Sequence, residues 1–271
     1  MAKISKTIIT MITRLYIFLI FGKWQLKDVF DVWYAGHDKS PTIRKIFRDV
    51  YADEYMEDVD ASSYVTRTDL HHMVQHLGIG KGDSFVDLGC GRGGPGLWIA
   101  RETGANLAGI DISEVAVNAA RSRISDFSLQ QEVRFQIGSF EETGLPHACY
   151  DGAMSVDALF LARDKDAAIE EVKRILCPGA RFVFTSWEGD LPLMVKDHRH
   201  LLQEKGFVVE VCEETKDWKS RQAAVYQRIV AEKNTLIKEM GRASAMGWIR
   251  DAANIKYLDR MHRVLVVARK A

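Results

Sequence analysis

Two acids and a cluster of glycines carry the clearest chemistry in this chain. In Val86-Asp-Leu-Gly-Cys-Gly-Arg-Gly-Gly94, Asp87 precedes Gly89 by two positions, and Gly89, Gly91, Gly93 and Gly94 crowd one short stretch. Asp111 follows in Leu107-Ala-Gly-Ile-Asp-Ile-Ser113. Glycines at a strand-to-helix turn let backbone approach a ligand, and an acid about 20 residues on can accept hydrogen bonds from ribose hydroxyls. The residues therefore imply a ribose-bearing cofactor. Gly89-x-Gly91-x-x-Gly94 formally matches the dinucleotide fingerprint, so a nicotinamide cofactor is one reading. Asp87 weighs against it, because it sets a carboxylate just below the turn. The adjacent Gly93 and Gly94 suit a broad backbone approach better than a pyrophosphate turn, and only one cofactor half is present.

Holding both acids at one rim requires strands that end at them. The pattern predicts strands at 84–88, 105–110, 133–137, 150–156, 181–186 and 207–211, with a last one at 262–269. Helices are expected at 96–102, 115–124 and 166–176, with another from the fifth strand to Lys205. Such alternation implies an α/β fold with a largely parallel sheet and helices on both faces. Residues 24–80 read as a helical cap rich in aromatic residues, and 217–260 as a helical lid inserted before the last strand. Open α/β sheets bind ligands at the carboxyl ends of their strands, which both caps would cover. The expected organisation is an N-terminal amphipathic helix at 1–23, the helical cap at 24–80, and a domain at 81–271 carrying the lid.

Lys plus Arg equals Asp plus Glu at 37 each among 271 residues. No overall field draws nucleic acid, which is not an expected partner. Cys90, Cys149, Cys177 and Cys212 show no paired or metal-ligand spacing, so they read as reduced thiols of a cytoplasmic protein, with no metal site expected. Near the N-terminus the apolar run Leu15–Phe21 falls far short of the roughly 20 residues a bilayer span needs. Ile8, Met11, Ile12, Leu15 and Leu19 recur at helical spacing. The segment reads as a helix packing on the body or on a second copy, as in a homodimer. Membrane-surface contact by residues 3–22 and a targeting signal remain the alternatives.

The stretch Val86-Asp-Leu-Gly-Cys-Gly-Arg-Gly93, with Asp111 and the Leu176-Cys-Pro-Gly-Ala-Arg181 turn, resembles the class I S-adenosylmethionine-dependent methyltransferases of small-molecule type. The resemblance covers residues 84–188 and fades in the caps. It implies a Rossmann-like seven-stranded sheet with an antiparallel last strand, and S-adenosyl-L-methionine as cofactor. It places Asp87, Gly89, Cys90, Gly91 and Gly93 against the methionyl part and Asp111 on the ribose. Ile112 would pack on adenine, with Ser139 and Phe140 beside it. Ser139 stands where the family usually has an acid. Val156 and Asp157 would flank the transferring methyl group.

No catalytic residue type stands out. Asp157, His198 and His200 are the only candidates, and Tyr51, Tyr55, Trp187, Trp218 and Tyr226 are candidate walls of an acceptor pocket. The expected activity is methyl transfer to oxygen, nitrogen or carbon of a small molecule, possibly a secondary metabolite, by in-line displacement. Methylation of protein or RNA is one alternative, and a catalytically silent cofactor-binding protein is another.

Overall fold

A computed structural model describes residues 25–191 and 194–271. The expected helix at 1–23 lies outside the described residues. From residue 84 onward the chain alternates as its apolar runs require. It forms β1 (Ser84–Leu88), α4 (Gly94–Thr103), β2 (Asn106–Asp111), α5 (Glu114–Arg123), β3 (Val133–Ile137) and β4 (Tyr150–Val156), then α6 (Lys165–Ile175), β5 (Leu176–Gly189), α7 (His198–Glu204) and β6 (Phe207–Glu214). Among the described residues three helices precede β1: α1 (Leu26–His37), α2 (Pro41–Tyr51) and α3 (Arg67–Leu77). Three more, α8 (Trp218–Ala231), α9 (Lys233–Met240) and α10 (Arg242–Ala252), precede the last strand β7 (Met261–Lys270).

The seven strands form one sheet in the order β3-β2-β1-β4-β5-β7-β6. β1 pairs in parallel with β2 and β4, β2 with β3, and β4 with β5. β7 is antiparallel to both β5 and β6, as expected of the last strand. The sheet is buried on both faces, so alternate strand residues enter two separate cores. Phe85, Met154 and Val183 join Leu70 and Met73 of α3 with Leu97 of α4 and Val117 of α5. Val86, Ala153 and Phe182 join Ile169 and Val172 of α6 with Leu202 of α7.

β5 is longer than its sequence pattern suggests. It begins at Leu176, and the Cys177-Pro-Gly179 segment bulges out, since Tyr150 pairs with Leu176 but Gly152 with Arg181. The helix before Lys205 is correspondingly short. A third apolar cluster unites the two caps. Ile43, Ile46 and Phe47 of α2 pack with Val225 and Ile229 of α8, Leu236 of α9 and Trp248 of α10. α1 joins them as Trp33 lies 4.2 Å from Trp248, ring to ring. α3 belongs instead to the helical layer of the sheet, fixed by a capping box between Thr66 and Asp69.

Candidate cofactor and active site

β1 and β2 end side by side, Leu88 against Ile110, and the glycine loop turns over them. The amides of Gly89 and Cys90 both donate to the Ile110 carbonyl, at 2.8 and 3.0 Å. Gly89 and Gly91 have positive φ, +69° and +51°, a region that side-chain-bearing residues rarely adopt. A Cβ at Gly89 would also sit 2.6 Å from Ala158 Cβ, and one at Gly91 2.7 Å from the Tyr34 hydroxyl. The loop thus lets β4's end and α1 close in on its two sides.

The two acids differ in their partners. Asp111 Oδ2 accepts from the Gly91 amide and Oδ1 from the Ser113 amide, both at 2.8 Å. Ser113, not Asp111, caps α5, and its hydroxyl donates to Asp31 of α1 at 2.6 Å. Burial pushes Asp111 up to about 6 against those amides, which favour the charged form. Asp87 is deeper, 1% exposed, and Oδ2 has no hydrogen-bond partner. Its carboxyl is pushed up to about 7, first by burial and then by Asp111. A buried carboxylate oxygen without a partner favours a cationic or N–H-bearing group in that space.

Both acids line a cavity of about 660 Å³. Gly89, Cys90, Gly91, Ile112, Ser139, Phe140, Val156 and Asp157 share that lining. Gly93 does not. It forms the N-cap of α4 and faces Phe135 and Ala120, so its role is packing. Cys90 is a buried filler whose thiol is pushed up well above its usual value by burial. Ser139 Oγ accepts from the Glu142 amide at 3.1 Å, so its hydroxyl closes a local turn.

Asp157 borders the cavity, but its carboxylate is already engaged. Oδ1 accepts from Thr185 Oγ1 at 2.8 Å and Arg263 Nε at 3.0 Å, and Oδ2 from the Tyr64 amide at 2.9 Å and Arg263 Nη2 at 3.2 Å. A carboxylate held this way braces the end of β4, with both oxygens already engaged. Neither histidine reaches the cavity. His198 is 1% exposed, stacks on Phe184 at 5.2 Å in the α6–α7 layer, and is lowered to about 4 by burial. His200 is on the surface beside Glu204.

The five aromatic residues expected in an acceptor wall all lie outside this cavity lining. Tyr51 donates to the Tyr64 carbonyl at 3.2 Å, and the Tyr55 hydroxyl reaches Asp60 at 3.5 Å. Trp187 packs edge-on against Tyr64 and Phe160, Trp218 donates to Glu214 at 2.5 Å, and the Tyr226 hydroxyl accepts from Gln222 at 2.7 Å. The cap core absorbs them because two helical segments far apart in sequence need a shared apolar interior. Phe30 and Tyr34 line the cavity instead. Their i, i+4 spacing on one helix was the available signal.

Three more residues went unread. Arg92, within the glycine motif, is 8% exposed and bonds Asp60 Oδ2 at 3.1 Å as well as Asp38 at the end of α1. Arg123 donates to the carbonyls of Asp58, Val59 and Arg92. Arg263 is 1% exposed and also bonds Asp69 at 2.8 Å. A lone arginine in the apolar strand Val264–Ala268 follows was its signal.

The site suits S-adenosylmethionine better than a dinucleotide. Asp87 Oδ2 lies in contact range of Gly96 in the first turn of α4, and Pro95 removes an amide from the helix N-terminus that would bind pyrophosphate. An anion there would meet a buried acid and one backbone amide fewer. An α-ammonium group would find a partner, while Asp111's remaining lone pairs suit vicinal hydroxyls.

Comparisons agree with this geometry. Among curated proteins, residues of this chain are 34% identical over 112 positions to methyltransferase phqN of Penicillium fellutanum, covering 41% of this chain and 34% of that protein. They are 28% identical over 133 positions to sterol 24-C-methyltransferase of Pneumocystis carinii, covering 49% and 35%. The chain thus matches about a third of the length of these relatives. Among solved structures, the [4+2]-cyclase SpnF superposes with a TM-score of 0.72 at 20% identity, covering 91% of this chain and 95% of that one. A sarcosine dimethylglycine methyltransferase described from Galdieria sulphuraria gives 0.68 at 19%, covering 86% and 98%. The family model described as "Methyltransferase domain" matches residues 79–241, more than half of the chain. The glycine loop, its two acids and the sheet order all fall within or around that match, and the chain belongs to the methyltransferase domain family.

Proposed function

We propose that this protein is an S-adenosylmethionine-dependent methyltransferase acting on oxygen, nitrogen or carbon of a small-molecule acceptor. The observation that carries the reading is the pair of buried acids, Asp87 with a free oxygen and Asp111 held by two amides, on one side of the 660 Å³ cavity. Asp87 would hold the ammonium end and Asp111 the ribose, with Ile112 and Phe140 against the base. The named relatives, phqN and a sterol 24-C-methyltransferase, support a methyl-transfer reading. The unpaired thiols of all four cysteines support a cytoplasmic setting. Among the described residues no helix is long and apolar enough to cross a membrane.

When bound, the cofactor supplies a methyl carbon already activated by its sulfonium. The chain's own residues then have to orient the acceptor and exclude water, which can supply several kcal/mol through pre-paid orientation. Val156 and Ala158 form the wall at the end of β4, and Asp157 braces that wall through Arg263. Tyr34 and Phe30 roof the cavity from α1. Among the described residues no histidine lines the cavity. Positioning fits these residues better than general-base catalysis.

SpnF, whose fold this chain shares, is titled a cyclase, so fold alone does not dictate methyl transfer. Titration calorimetry with S-adenosylmethionine, S-adenosylhomocysteine and NAD decides the cofactor; binding of NAD alone would overturn the proposal. A labelled-methyl screen against metabolite extracts decides turnover. Tight S-adenosylhomocysteine binding with no labelled product across broad acceptor pools would favour the silent or cyclase-like alternative.

A further inference from the structure

Nineteen of the chain's arginines lie among the described residues, and most have a guanidinium hydrogen bond or ion pair there. Arg163, Arg242 and Arg250 have neither. Arg163 is at the rim of the cofactor cavity. Arg242 and Arg250 both border a second groove of about 350 Å³, between α1 and α10. Its floor is apolar: Val29, Val32 and Trp33 from α1, and Met246 from α10. Trp33 can lie flat across α10 because residue 247 is glycine, where a Cβ would come within 2.7 Å of the indole.

The two arginines are eight residues apart on one helix, about 12 Å along its axis, so they flank the apolar floor. Val32, Trp33 and Met246 are half-buried and Val29 is buried, so the two arginines flank a partly open apolar floor, a basic amphipathic arrangement. Residues 1–24, which precede α1 in sequence, contain Lys3, Lys6, Arg14 and Lys23 and no Asp or Glu, in a chain whose total charge is zero. The charged residues that line the groove, Arg242 and Arg250, are both basic.

We propose that the α1–α10 groove is a docking surface for an anionic bilayer, with Arg242 and Arg250 taking lipid phosphates or carboxylates and the Trp33–Met246 floor receiving acyl-chain methylenes. Surface docking of this kind brings the cofactor cavity, roofed by the other face of α1, to lipid-borne molecules. It does not depend on the identity of the acceptor or on methyl transfer.

The test is vesicle co-sedimentation of the full chain with pure phosphatidylcholine and with 3:1 phosphatidylcholine/phosphatidylserine, at 50 and 300 mM salt. Binding is expected to the anionic vesicles and to weaken at high salt. Arg242→Gln/Arg250→Gln should lower the partition coefficient about 30-fold, at roughly 1 kcal/mol per basic residue. Lys81→Glu/Lys196→Glu, a charge change elsewhere on the surface, should leave it near the parent value. Unaltered binding by the arginine variant overturns the proposal, whether the remaining contact is made by residues 1–24 or by another face. Absence of binding by the parent chain also overturns it. S-adenosylhomocysteine calorimetry on the arginine variant checks its folding, and Trp33→Ser in the floor supplies a second variant. Calorimetry and sedimentation can fail independently, which separates this proposal from the cofactor reading.

Discussion

At the scale of single residues, the two acids make separable demands. Asp111 is fixed by the Gly91 and Ser113 amides, so its remaining lone pairs are already aimed when ligand arrives. Charge-assisted hydrogen bonds contribute about 1.5–3 kcal/mol, so Asp111→Ala should weaken S-adenosylmethionine binding about tenfold or more by calorimetry. Asp87 adds a pH dependence. Its folded value of about 7 stands above the ordinary 3.8, so the free protein carries a proton there that the unfolded chain has lost. Stability from this group is therefore complete below pH 3.8 and declines as pH rises through 7. An ammonium ligand needs the ionised form, so its affinity should rise about tenfold or more from pH 5.5 to 7.5 and then level off. Asp87→Asn should flatten that rise and raise the melting temperature more at pH 8 than at pH 5. A parallel pH profile in the variant would remove Asp87 from ligand binding.

At the scale of elements, the decisive join is Arg263. It ties β7 to the end of β4 through Asp157, to the N-terminus of α3 through Asp69, and to Thr215 after β6. Breaking a buried ion pair from one side leaves an uncompensated charge, at a typical cost of 3–5 kcal/mol. Arg263→Met should destabilise by about that amount in urea titrations, since it strands both Asp157 and Asp69. Asp157→Asn keeps the shape but sets an amide NH2 against donors on one side; it should still cost less, because Arg263 keeps Asp69. Equal losses would mean that the network is braced by packing alone. The roof of the cavity depends on similar joins. Asp31 accepts from Ser113 at the middle of α1, and Arg92 holds Asp38 at its C-terminal end. Both anchors belong to motif segments of the cofactor-binding half, which is why α1 sits over the glycine loop.

At the scale of the whole molecule, one cap made from both ends of the described chain closes over one sheet. A ligand that binds only the closed, folded state should stabilise all of it. S-adenosylhomocysteine at a hundredfold excess over its dissociation constant should add about 2.7 kcal/mol, a rise of roughly 5 °C or more in melting temperature, while NAD at the same concentration should leave it unchanged. Local patterns were enough to predict the α/β alternation, the loop from Gly89 to Gly91, and the Asp87–Asp111 pair. Each depends on short-range rules, where a strand must be apolar and a tight turn must be glycine. The sequence also marked the caps as helical and aromatic. It could not say which aromatics face a ligand, because a buried ring in a core and a ring in a pocket have the same periodicity. Tyr51, Trp187 and Tyr226 went to the core, and Phe30 and Tyr34 to the cavity, through the packing of α1 and α2 on α8–α10 across nearly 200 residues. Asp157 was legible as a residue at the end of β4, but its engagement was not, since its partner Arg263 lies 106 positions away. Local composition determined the cofactor-binding loop; only long-range burial and ion pairing decided which neighbouring side chains remain free to meet a ligand.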